Sequence, residues 1–428
     1  MSLLKQILGE EVKLACGCTE PIAVAYACNI AMRAIGEQKD VAHIIVKNIT
    51  ITLDPGTYKN GRAVGVPNTK GRTGFTIAAA LGCLNPSHAN PLQILEKVES
   101  ETLAEAEELI NANIVTVNYD ESWQNFCIHA KILTSHGQAL VVIQNNHTNI
   151  TSVEVDGVVA AAFLSQSEKI STVAESSYQE LLKKMTIRGL VSLAETMDEE
   201  TGRFIQQGVE VNLALAEAGK KIPGFGASLN RQNINNTDIT SRIKMEVACA
   251  TDARMSGSKL PAMSSGGSGN QGIVAILVPY IFGTSKEIPR NRVLQSIALS
   301  HLINAYVKTQ TGILAPICGC AMAAGLGAAA AIVYQIKNDI TIIGHAINNV
   351  AGSINGILCD GAKSGCALKV ISAVDAAVTA ALFALDNTFV SPHEGVVGKT
   401  PEETIRNLGI LCIQGMCNTN GVVLQIGR

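Results

Sequence analysis

Four groups of cysteines have the residue types and settings that chemistry needs: Cys16 and Cys18, Cys318 and Cys320, Cys359, and Cys366. Each is flanked by glycine and falls at a predicted turn or helix end, where a thiol is free to face a ligand. The other six (Cys28, Cys83, Cys127, Cys249, Cys412 and Cys417) sit mostly within apolar runs and read as small buried hydrophobes. Two C-x-C pairs separated by about three hundred residues do not make the paired C-x2-C of a zinc ribbon. Nor do they make the tight run of a bacterial ferredoxin. Two readings stay open from spacing alone: thiolates distant in sequence that converge on a metal, and small residues at close helix crossings.

A second set is polar and mostly uncharged: Lys59-Asn60-Gly61, Asn68-Thr69, His147-Thr148-Asn149, Ser264-Ser265, Ser268-Gly269-Asn270-Gln271 and Asn348-Asn349. Loops of this kind present backbone N–H groups and amides, which suits a small zwitterion such as an amino acid. Ordinary turn chemistry explains any one of them; their density in so apolar a chain points to a site. Two nucleotide motifs fail on context. Gly267–Gly272 matches G-x-G-x-x-G, but a polar loop precedes it instead of a strand. Gly398-Lys399-Thr400 would need a glycine at position 393, which is His393.

The elements that must position these residues follow from periodicity. The stretch from Leu4 to about Gly36 reads as helix, interrupted at Cys16–Pro21, where Thr19 and Pro21 signal a helix start. Such a start favours an anion or thiolate. Period-two alternation marks strands at Asn48–Leu53, Asn113–Asn118, Phe126–Leu133 and Ala139–Gln144, with helices at Phe75–Leu81 and Pro91–Ala112 between them. From Ser177 onward the chain reads as helices near Ser177–Met197, Thr201–Ala218, Thr240–Met255, Asn291–Thr309, Cys318–Gln335, Thr341–Val350, Cys366–Leu385 and Pro401–Cys412. The fold class is α+β: a mainly antiparallel α+β domain (39–175) inserted after an N-terminal helix (1–38) that packs on a larger all-helical C-terminal domain (176–428).

Composition bounds the function. The 428 residues are 47% hydrophobic, 16% charged and only 4% aromatic, so a large core of small side chains in tight helix contacts is expected. A net charge of −3 without a basic run argues against nucleic acid. The uncharged stretch Ile313–Tyr334 is long enough to span a bilayer, but it lacks aromatic belts and basic flanks and reads as a buried helix. Met1–Gly9 with Lys5 is no secretory signal, so a cytoplasmic, reducing location without disulfides is expected.

Taken in order, Gly17-Cys18-Thr19-Glu20-Pro21, Lys59-Asn60-Gly61 with Val66-Pro67-Asn68-Thr69, His147-Thr148-Asn149-Ile150, Ser268–Gly272, Cys359-Asp360-Gly361-Ala362 and Cys366-Ala367-Leu368-Lys369 resemble the L-cysteine desulfidase family over nearly the whole chain. The chain is also distantly similar to the iron–sulfur L-serine dehydratases. The resemblance implies release of hydrogen sulfide, ammonia and pyruvate from L-cysteine, with a [4Fe–4S] cluster held by three cysteines. Carried over, those are Cys18, Cys318 and Cys359, with Cys320 and Cys366 as alternatives. The dehydratases take a third ligand shortly after the second, which favours Cys366 over Cys18.

With that reaction in view, Glu20, His345 and Lys59 are the candidate bases, together with an unligated thiolate. His345 is chosen because an unshifted histidine titrates in the useful range. Asn60, His147, Thr148, Asn149, Ser268, Asn270 and Asn349 are the candidates for holding the amino acid. A homodimer is expected to be possible. Three rival readings stay open: an L-serine dehydratase with the same cluster, a non-enzymatic cysteine- or metal-binding protein, and a pyridoxal-phosphate lyase, for which no lysine has a phosphate-cup context.

Overall fold

The computed structural model describes residues 2–41, 43–85, 90–123, 125–164, 178–232, 238–312 and 314–427. The chain opens with α1 (Leu3–Glu11), the short β1 (Leu14–Ala15) and α2 (Thr19–Lys39). Next come β2 (Val46–Leu53), α3 (Pro55–Gly61), α4 (Phe75–Leu84), α5 (Ser100–Asn111), β3 (Val115–Tyr119), β4 (Cys127–Thr134), β5 (Gly137–Gln144), β6 (Ile150–Val155) and β7 (Val158–Val159). The helical half is α6 (Tyr178–Lys184), α7 (Ile187–Glu195), α8 (Glu199–Gly219), α9 (Phe225–Gln232), α10 (Ile239–Met255), α11 (Gly269–Ser285), α12 (Arg290–Thr311), α13 (Gly325–Ile336), α14 (Ile340–Ile354), α15 (Cys366–Leu385), α16 (Pro401–Ile410) and α17 (Thr419–Ile426). Within it, β8 (Ala262–Met263) reaches back to pair with β1.

The α+β half is a six-stranded sheet in the order β3-β2-β4-β5-β6-β7. Only the β2–β3 pair is parallel, because α3, α4 and α5 intervene; the other pairs are antiparallel. Alternation works as expected: Ile49, Ile51 and Leu53 all point into the core formed with α2. The N-terminal segment divides. Helix α1 packs against α12, whereas α2, expected on the helical domain, lies on the sheet and against α4. Its small residues Ala23, Ala27, Ala31 and Ala34 let it sit close to the strands. At the α2–α4 crossing a Cβ on Gly82 would stand 2.3 Å from the Ala25 carbonyl oxygen, so only glycine fits.

Two predicted helices are broken by side-chain hydrogen bonds. The span Pro91–Ala112 is a single 3-10 turn at Pro91–Gln93 followed by α5, because Asn68 Nδ2 takes the carbonyls of Leu95 and Glu96, both at 2.8 Å. The span Ser177–Met197 is α6 and α7, with Thr186 capping α7 through the Gly189 N–H at 3.2 Å. Ser177 and the 175/176 domain boundary lie outside the described residues, as does Ile313 at the head of the suspected span. One described helix, α15, is long and apolar enough to cross a membrane. Here it packs against α10, α13 and α14 in the main helical core.

Candidate active site

The thiols are brought together by a short antiparallel contact. Ile317 and Leu358 form a β-bridge, with Cys318 N–H donating to the Ile357 carbonyl and Cys359 N–H to the Pro316 carbonyl, each at 2.7 Å. Side chains alternate on either side of such a bridge, so Cys318 and Cys359 share the face opposite Ile317 and Leu358. Cys320 opens a π-helical turn (Cys320–Ala324) that runs into α13, and Cys366 is the first residue of α15. All four thiols line one cavity. Cys320 stands against Cys318: its hydrogen bond, then the N–H groups of Ala321 and Cys320 and the charge of Lys369, hold the Cys318 thiol below its ordinary value despite burial. Burial, with Cys359 and Cys318 nearby, pushes Cys366 up to about 11.

The opposite wall comes from the α+β half. Glu20, in the first turn of α2, is buried and accepts hydrogen bonds from Cys18 Sγ at 2.8 Å, Thr19 Oγ1 at 3.2 Å and Asn60 Nδ2 at 3.2 Å. His147 Nε2 lies 3.8 Å from Glu20 Oε1 and, among the described residues, has no hydrogen-bond partner. Burial alone would raise the Glu20 carboxyl, but His147 and Cys18 overcome it and hold the group well below the usual carboxylate range. Asn60 links the halves, since its Oδ1 lies 3.5 Å from Cys359 Sγ. Cys18 lines the same cavity but gives its thiol to Glu20, and burial followed by the Glu20 charge keeps that thiol protonated.

Two cations, one buried and one half-buried, complete the lining. Arg254, from the last turn of α10, donates from Nη1 to Asn270 Oδ1 at 3.1 Å. Lys308, near the end of α12, donates to the Gly266 carbonyl at 2.5 Å; burial lowers its ammonium, against the pull of Glu11, Glu20, Cys320 and Cys359. A third cation, Lys369, is paired with Asp360. Ser268 and Asn270, at the start of α11, and Gln271 also face in.

Of the residues singled out from sequence, the cavity gathers Cys18, Glu20, Asn60, His147, Ser268, Asn270, Gln271, Cys318, Cys320, Cys359 and Cys366. The others lie elsewhere. Lys59 does not line it: Nζ is bound by the Cys359 carbonyl and Asn420 Oδ1, both at 2.7 Å, behind the cysteine. His345 stacks on Phe389 with ring centroids 3.6 Å apart, away from the thiols. Thr148 and Asn149 shape the turn after β5, where Thr148 N–H bonds Asn146 and Asn149 Nδ2 bonds the Gln144 carbonyl. Asn349 is spent on the Ala380 and Thr388 carbonyls and the Val390 N–H. Sequence reasoning missed Arg254 and Lys308 because a single cation within a helix carries no local pattern.

Among the described residues, no three His, Cys, Asp or Glu side chains surround one point as ligands of a single metal ion. The four thiols ring a shared volume instead. In an iron–sulfur cluster each thiolate binds a different iron, so its donors stand further apart than those of one ion. An all-thiol donor set of this kind, with Cys318 and Cys320 buried and Cys359 and Cys366 half-buried, fits such a group.

The cavity is lined from both the α+β half and the helical half of the chain. The chain belongs to the serine dehydratase alpha chain family, whose model matches residues 89–425, and this places it with the lyases. A UPF0597 protein of Geobacter sulfurreducens is 44% identical over 100% of this chain and 98% of its own length. UPF0597 proteins of Elusimicrobium minutum (41% identical, 100% and 99% covered) and Clostridium tetani (37% identical, 99% and 97% covered) are also similar from end to end.

Proposed function

We propose that this chain is a cytoplasmic L-cysteine desulfidase, a β-eliminating carbon–sulfur lyase that yields hydrogen sulfide, ammonia and pyruvate. The observation that carries this reading is the convergence of four thiols with a Glu20–His147 pair in one buried cavity. Cys318, Cys359 and Cys366 would hold a [4Fe–4S] cluster; Cys18 is left out because its thiol is turned to Glu20. When bound, the cluster supplies a Lewis-acidic iron with an open position for the leaving sulfur.

The chain's own residues do the rest. His147 Nε2 takes the Cα proton, and the ionised Glu20 beside it stabilises the imidazolium that forms. Asn60 and Thr19 fix the Glu20 carboxylate, so it is pre-oriented before substrate arrives. Loss of the proton and cleavage of Cβ–S give aminoacrylate and sulfide, and water then converts aminoacrylate to pyruvate and ammonia. The wall beside the thiols is apolar, with Val307, Ile317 and Met322, which supports a thiol over a hydroxyl that would need hydrogen-bond partners there.

A second reading, dehydration of L-serine in the same cavity, is favoured by the name of the matching family. Anaerobic purification and reconstitution, with iron and sulfide quantified and pyruvate followed on each amino acid, decides between them. Matched pyruvate and sulfide from L-cysteine is the expected result. Faster turnover of L-serine moves the assignment to the dehydratase, and no turnover of either removes both.

A further inference from the structure

We propose that Arg254 and the first turn of α11 form the anchor for the substrate's α-carboxylate, and so restrict the enzyme to free amino acids. The inference rests on the reading of the cavity as an amino-acid site. Arg254 is only 4% exposed, yet among the described residues no carboxylate lies within ion-pair distance of it. Its guanidinium gives Nη1 to the neutral Asn270 side chain, and Nε has no partner at all. A buried charge in this state lacks its counter-ion. Of the other cations that line the cavity, Lys369 is paired with Asp360, and Lys308 is held by the Gly266 carbonyl with Glu11 and Glu20 nearby.

The helix start supplies the second half of the anchor. Helix α11 is 17 residues long, and its capping residue Ser268 makes no side-chain cap bond, so the first-turn N–H groups remain available. Glycine at position 269 is what lets the guanidinium reach this point: a Cβ there would stand 2.2 Å from Arg254 Nε. Gln271, in the same turn and also lining the cavity, has an unpartnered buried Oε1. A small carboxylate lying across the helix start would meet a planar fork of N–H donors and the positive end of the helix together.

The test uses the full chain and two probes without a β-leaving group, so that nothing turns over: L-alanine, and L-alaninamide, which lacks the carboxylate. Calorimetric titration is expected to show L-alanine binding about 30- to 100-fold more tightly than the amide, the range for a charge-assisted hydrogen-bonded pair. R254Q should erase that preference and R254K should keep part of it. If R254Q fails to fold, N270D decides, because it sets a carboxylate against the guanidinium and should fold while losing the preference. Equal binding of the two probes by the native protein, or a preference that survives in R254Q or N270D, overturns the anchor. Absence of pyruvate release with the preference intact would sink the lyase reading and leave the anchor standing.

Discussion

Replacing Lys59 with methionine separates a positioning role from a chemical one. The ammonium is buried and makes two hydrogen bonds, to the Cys359 carbonyl and to Asn420 Oδ1, each 2.7 Å long. Hydrogen bonds to a charged group contribute about 1.5–3 kcal/mol each. Among the described residues Lys59 has no carboxylate partner, so part of that gain offsets the desolvation of an unpaired charge. Methionine keeps the stem's volume but leaves the Cys359 carbonyl and the Asn420 amide oxygen without these donors. The net loss is then about 2–3 kcal/mol, and Asn420→Ala, which leaves the ammonium buried with one bond fewer, should lose about 1.5–3 kcal/mol. Urea unfolding measures both, and iron content after anaerobic reconstitution reports whether Cys359 has shifted. The expected Lys59→Met protein is less stable, under-loaded with iron and slow in proportion to its loading. A variant with native stability, full iron and no turnover would refute this account and make Lys59 a base.

Other outcomes follow from the same geometry. Cys318→Ser, Cys359→Ser and Cys366→Ser should each lose iron and turnover together, while Cys18→Ser should keep its iron; iron analysis on the four purified variants checks this. His345→Ala should leave kcat/KM within about twofold and cost about 1 kcal/mol in urea unfolding, the loss of one aromatic contact. His301, buried with Nδ1 2.8 Å from Ser265 Oγ, is held neutral by burial, its value lowered to about 3. The unfolded chain takes up that proton near pH 6.5. Its contribution is therefore fully present above about pH 6.5 and lost as pH falls from there, by up to about 1.36 kcal/mol per pH unit. Urea midpoints measured down that range should fall less steeply for His301→Gln than for the native chain.

Much of this architecture can be read from local pattern. Ile49, Ile51 and Leu53 alternate because one face of β2 is buried, and that periodicity is visible in the residues alone. The thiols stood out because glycine marks the turns that aim them; Gly361, at φ +104° and with its Cβ position 2.5 Å from the Lys59 carbonyl oxygen, is such a turn. What escaped were features decided across the fold. Asp54 and Pro55 do carry a helix-start signal, and Asp54 caps α3 through the Thr57 N–H at 3.0 Å. Gly56, Asn60 and Gly61, which follow, obscure that signal. Helix α11 was hidden behind a nucleotide-like glycine motif and by Pro279, which is tolerated in its interior, where its carbonyl accepts from Gln335 Nε2 at 2.8 Å. His345 looked chemical because histidine titrates in the right range, but nothing local to it reveals that Phe389 occupies its ring face.

The lysine clamp also has a consequence for biosynthesis. It joins residues 300 and 361 positions apart, fastening α3 to the Cys359 loop and to α17. A ribosome delivers the chain N-terminal end first at about 5–20 residues per second. For most of that time the sheet can fold while Glu20, Asn60 and His147 have no thiol wall to face. The lining of the cavity is complete only once Lys369 has emerged, so a cofactor seated among these thiols is installed late in synthesis rather than early.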